Sequence, residues 1–95
     1  MSTRRLLSQK EIRDSLKRLK GWKLKNGKLH REYKFESFVE AFGFMTSVAI
    51  SAEAMNHHPE WFNVYDRVTV DLVTHDLKGI STWDVALAER MDQLA

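Results

Sequence analysis

WKLKNGKLHREYKF, residues 22–35, holds the turn on which the reading of the fold rests. Asn26-Gly27 suits a two-residue type I′ turn, whose central residues both need positive φ. The flanking residues alternate, so the stretch reads as an antiparallel hairpin. Leu24 then pairs directly with Leu29, and Trp22, Tyr33 and Phe35 share their face. A second hairpin is expected from WFNVY (61–65) and RVTVDLVTH (67–75), joined tightly near Asp66-Arg67. Val68, Val70 and Leu72 alternate there with Thr69, Asp71 and Val73, the pattern of a strand with one buried face.

Helices fill the remaining chain, and their starts share one device. Ser8-x-x-Glu11, Ser37-x-x-Glu40 and Ser81-x-x-Asp84 are capping boxes, in which the hydroxyl accepts from a free amide and the acid reaches back. Leu7 with Ile12, and Ile80 with Val85, have the spacing of hydrophobic staples. The first helix is predicted from Gln9 to Lys20, with Ile12, Leu16 and Leu19 on one stripe and Gly21 as its stop. The second carries Phe38, Ala41, Phe42, Met45, Val48, Ala49, Ala52 and Met55 as one broad apolar face. A subsidiary stripe, Val39, Gly43, Thr46 and Ile50, or else the open face and edges of the sheet, is expected to be buried by another subunit. The third helix runs from Thr82 with Leu87, Ala88, Met91 and Leu94 inward. The order α-β-β-α-β-β-α predicts an α+β fold, a four-stranded antiparallel sheet with three helices on one face.

Composition sets the outer bounds. Ninety-five residues with 43% hydrophobic content are read as one globular domain, 1–95. The absence of cysteine excludes disulfides, thiolate nucleophiles and cysteine-zinc sites. MSTRRLLSQKE lacks the apolar stretch of a signal peptide, and AFGFMTSVAISA (41–52) reads as too short and too polar to span a bilayer. A cytoplasmic protein is expected. The net charge of +2 hides a lopsided distribution, with 12 of the 15 bases in residues 1–34 and ten of the 13 acids in residues 35–95. No aromatics interleave with those bases in a recognisable RNA-binding pattern, so a solvated face is preferred to a nucleic-acid surface.

Chemistry concentrates in EAMNHHPEWFNVY, residues 53–65, and at His75. Helix two should end before His58, because a residue preceding proline avoids the α region. Glu53 and His57 share a helix face if the last turn reaches that far. His75 is expected to end its strand, and Asp84 opens the next helix near the same rim. Three readings stay open on these residues alone: a metal site, satisfied structural histidines, or acid–base chemistry. Adjacent histidines seldom ligate one ion together, and no covalent nucleophile stands out. His30 reads as surface. Trp22 and Trp61 read as partly core, with indoles able to stack on a flat ligand.

The chain resembles the pterin-4a-carbinolamine dehydratases. The resemblance rests on Glu53, His57-His58-Pro59, Tyr65, His75 and Asp84, and extends over GW (21–22), REYKFESFVEAFGF (31–44), HHPEWFNVY (57–65) and GISTWDVALAERM (79–91). It implies removal of water from a 4a-hydroxytetrahydropterin to give the quinonoid dihydropterin, which recycles the cofactor of aromatic amino acid hydroxylases. It implies His57, His58 and His75 as the catalytic residues lining the pterin site, without metal or organic cofactor. Glu53, Pro59, Trp61, Thr74, Asp76, Leu77, Trp22 and Asp84 complete the expected substrate-binding set. Family members are dimers or tetramers, and animal ones also bind a homeodomain transcription factor as a dimerisation cofactor, with a nuclear location in addition. Neither direct nucleic-acid binding nor a membrane is implied. A non-catalytic binding module is the alternative from another class, and turnover separates the two.

Overall fold

Asn26 and Gly27 both take positive φ, 53° and 76°, so the first turn is of the expected primed type. It joins β1 (Lys23–Lys25) to β2 (Lys28–Lys34), and Leu24 lies opposite Leu29 as the alternation requires. The computed structural model describes residues 4–95; residues 1–3, counted within the domain by the sequence reading, lie outside that range. The other elements are α1 (Gln9–Arg18), α2 (Phe38–Met55), β3 (Glu60–Val64), β4 (Arg67–Leu72), a 3-10 turn at His75–Leu77, and α3 (Thr82–Leu94). The strands form one antiparallel sheet in the order β1-β2-β4-β3. The α+β class and the element order expected from the sequence are what the chain adopts.

Register decides which face is covered. Leu29 and Tyr33 on β2 lie opposite Leu72 and Val68 on β4, and Trp61 on β3 lies opposite Val70. That face packs with Ala41, Phe44, Val48 and Ala52 of α2 and Leu87, Ala88 and Met91 of α3 in one core. Each of the buried Leu, Val, Phe and Met side chains contributes roughly 1.5–3 kcal/mol by leaving water. The opposite face carries His30, Glu32, Asp71, Thr69 and Glu60, together with exposed Phe62 and Val64 of β3.

Five local expectations need correction. β4 stops at Leu72, three residues short of His75, because Thr74 pairs with Gly79 and the chain closes a 3-10 turn between them. The second hairpin turns at Tyr65-Asp66, with Val64 opposite Arg67. Tyr65 is left-handed there (φ 52°), a conformation costly for a bulky residue, and the Asn63 amide donates to the carbonyls of Tyr65 and Arg67 across the turn. Capping boxes are complete at Ser8 and Ser81, whereas Ser37 supplies the hydroxyl half, accepting from the Glu40 amide. Helix α2 is also rotated from its expected phase: Phe44 is buried, while Phe38, Phe42 and Ala49 are exposed. An apolar surface nearly all round gives periodicity nothing with which to choose a phase. The apolar run is also longer than residues 41–52, so that by length and composition α2 could cross a membrane. In this fold its inner face is committed to the sheet and α3.

A polar hub ties the C-terminal helix to the first hairpin. Asp92 accepts from the Trp22 indole (3.0 and 3.1 Å), from Arg31 Nη1 (3.2 Å) and from the Tyr33 hydroxyl. Burial, then the Asp92 carboxylate, push the Tyr33 phenol upward, so it stays a donor. Asp92→Ala would leave three donors short of a partner, two of them on buried residues. A loss of about 2 kcal/mol is expected, or a melting point lower by roughly 10 °C, read by thermal unfolding. An unchanged melting point would mean that water replaces the carboxylate without cost.

Candidate active site

The site begins where α2 ends. Asn56 takes the left-handed conformation (φ 52°, ψ 43°), its N–H bonds to the Glu53 carbonyl, and the His57 N–H bonds to the Ala52 carbonyl. This pair of bonds is the Schellman arrangement, which suits Asn at the left-handed position and turns the chain sharply. His57 therefore leaves the helix axis; α2 ends at Met55, so the last turn does not reach it and Glu53 and His57 do not share a helix face. Glu53 instead meets His58, with Nε2 to Oε1 at 2.8 Å.

His57 is directed inward, where Asp84 receives it. Its Nε2 lies 2.6 Å from Asp84 Oδ1, and the pair is buried, with the Asp84 side chain at 0% exposure. The second carboxylate oxygen accepts from the Thr74 hydroxyl and the Ser81 amide, both at 2.8 Å. The Ser81 hydroxyl accepts from the Trp83 amide (3.2 Å) and lies 2.6 Å from the Thr74 oxygen. Thr74 spends its proton on Asp84, so Ser81 must donate to Thr74. Asp84 is thus both the acid of the α3 capping box and the anchor of an imidazole. A buried carboxylate with this many donors is satisfied in place.

The third imidazole comes from the 3-10 turn. His75 Nε2 lies 2.7 Å from Glu60 Oε2, and Lys28 Nζ reaches Glu60 Oε1 at 2.6 Å. Lys28, and after it His75, hold the Glu60 carboxyl below the usual carboxylate range. Each of the three rings is therefore tied through Nε2 to its own carboxylate. Nδ1 remains on each as the nitrogen not engaged by a described residue. Among the described residues, no group of three His, Asp or Glu side chains is arranged to share one metal ion.

A cleft of about 220 Å³ joins these groups, lined by Arg4, Asn56, His57, His58, Val73, Thr74, His75 and Asp76. Arg4 pairs with Asp76 at 3.3 Å and lies over the Trp83 ring, which meets His57 edge-on. Among the residues expected from the sequence, the fold gathers His57, His58, Thr74, His75 and Asp76 on the cleft wall, with Asp84 and Glu53 behind two of the rings. Pro59, Trp61 and Leu77 are partly buried and outside that wall, Trp61 packing against the core. Trp22 precedes β1, is buried in the core and spends its indole N–H on Asp92. Sequence reasoning missed Arg4, Asn56, Val73 and Glu60. Asn56 was legible as a helix-ending residue. Nothing local marked Glu60 as the partner of a histidine 15 residues on.

Comparison with known proteins agrees along the chain. A protein-family profile described as Pterin 4 alpha carbinolamine dehydratase matches residues 5–94. A protein of Solibacter usitatus, provisionally named a pterin-4-alpha-carbinolamine dehydratase, is 61% identical over 89 residues, which is 94% of each chain. A Prochlorococcus marinus (strain MIT 9303) protein of the same provisional name is 51% identical, over 97% of this chain and 96% of its own. A crystal structure from Brucella melitensis, described as a transcriptional coactivator/pterin dehydratase, superposes with a TM-score of 0.92 at 41% identity. That match covers 96% of this chain and 99% of the other.

Proposed function

This chain belongs to the pterin-4-alpha-carbinolamine dehydratase family, and on that premise we propose that it dehydrates a 4a-hydroxytetrahydropterin by histidine acid–base catalysis. The observation that carries the mechanism is the convergence of three imidazoles on one cleft, each held at Nε2 by a carboxylate. Dehydration needs a proton delivered to the 4a oxygen and a proton taken from the neighbouring ring nitrogen. The C–O bond breaks, water leaves, and the nitrogen's electron pair forms the new C=N bond. Imidazoles titrate near neutrality, so one ring can donate and another accept. No metal is needed for either step. A small, open, polar cleft suits a flat heterocycle with several N–H and C=O groups better than a larger apolar ligand. The product is the quinonoid dihydropterin, and the reaction belongs to recycling of a reduced pterin in the cytoplasm.

Stopped-flow turnover of chemically generated carbinolamine tests this reading. Dehydration well above the spontaneous rate, unchanged in chelator, is the expected result. A rate equal to background would leave a binding module as the better account, and activity restored only by zinc would point to a metallohydrolase.

Assembly is part of the same proposal. Val39 (79% exposed) and Ile50 (71% exposed) lie on the outer surface of α2 with Gly43 and Thr46, and exposed Phe38 and Phe42 add to that face. Such a patch on so small a chain calls for cover, and a second copy of α2 offers the same apolar stripe in return. Sedimentation should therefore show a dimer or tetramer at micromolar concentration, and Ile50→Glu should shift it towards monomer. A monomeric parent protein would refute the assignment.

A further inference from the structure

The open face of the sheet carries a feature that the acid–base reading does not use. Glu60 opens β3 and has two partners from different parts of the chain, His75 Nε2 at 2.7 Å and Lys28 Nζ at 2.6 Å. Lys28 stands at the first position of β2, just after the Asn26-Gly27 turn, so this contact links the first hairpin to the candidate site. His75 itself sits on a three-residue turn with its side chain 72% exposed. A hydrogen bond to a carboxylate is what such a ring needs to keep one orientation.

We propose that Glu60, braced by Lys28 on its other oxygen, is the positioning residue for His75: it grips Nε2 so that Nδ1 is the atom free to exchange a proton. The inference rests on the reading of His75 as a participant in dehydration. The charged groups facing the ring are Glu60 from β3, Lys28 from β2, and Asp76 beside it on the turn, itself paired with Arg4; Asp71 on β4 acts on Lys28. His57 and His58 share the cleft. Glu60→Gln keeps the shape and removes the negative charge, so a charged ring is less favoured. Lys28→Met removes the positive charge and leaves the carboxylate uncompensated, so a charged ring is more favoured. Opposite signs from two neighbouring substitutions are something that mere packing would not produce.

The experiment follows the ring signals of His75 by NMR against pH in the full chain, beside turnover against pH. The His75 midpoint should fall in Glu60→Gln and rise in Lys28→Met, with His57 and His58 moving less and both shifts shrinking in high salt. The acid limb of turnover should follow the same directions. Midpoints that stay put in both variants, or three rings moving together, would overturn the proposal. Midpoints that move as expected under an unmoved acid limb would uphold the Glu60–Lys28 brace, and it would be the participation of His75 in the reaction that fails.

Discussion

Alanine at His58 or His75 is expected to slow carbinolamine dehydration by about a hundredfold or more if that ring is the essential acid or base, with the melting point nearly unchanged. Both side chains are exposed and paired with exposed carboxylates, so their removal should alter stability by no more than about half a kcal/mol. His57→Ala should differ in kind. It removes a proton-transfer group and also strands one oxygen of a fully buried carboxylate, which costs about 3 kcal/mol or more. Three variants therefore divide into two that lose rate alone and one that loses rate and stability together. Binding should suffer less than turnover, because backbone and remaining side-chain contacts persist. The substrate also loses water unaided, so rates must be taken above that background. Parental rates in all three variants would make the histidines structural and end the enzyme mechanism proposed above.

Asp84→Asn is expected to cost both stability and rate. Were Asp84 only the acid of a capping box, its replacement would cost about 1 kcal/mol. It accepts from Ser81, Thr74 and His57 with both oxygens, at full burial. An amide must present its NH₂ to at least one of those donors and carries no charge for the ring. About 3 kcal/mol is expected, measured as a shift in the urea midpoint at constant slope. Turnover per folded molecule should also fall, by about tenfold or more, because His57 loses the group that orients it. A variant that is destabilised yet fully active when folded would show that His57 needs no carboxylate to work.

The local features of this protein were legible from its residues. Asn26-Gly27 called for a primed turn, the serine-to-acid spacings located the three helix starts, and alternation in residues 68–72 identified the buried face of β4. The adjacency of His57 and His58 before proline, with His75 and Asp84 further on, singled out three residues of the cleft wall and the carboxylate behind one of them. These signals are short-ranged, because turn sterics, capping bonds and strand period act within a few residues. What only the tertiary structure decided lies between elements far apart in the chain. Both sides of α2 are apolar, so the choice of Phe44 over Phe38 and Phe42 was made by the sheet and α3 that it meets. Asn56 turned the chain so that Glu53 went to His58 and left His57 for Asp84. Glu60 found His75 and Lys28 through the order of the strands and the fold of the turn after β4, and Trp22 was drawn to Asp92. Residue spacing sets which groups can share one helix or strand face. Which carboxylate meets which imidazole across 15 or 27 residues follows from how separate faces pack, and no local period records that.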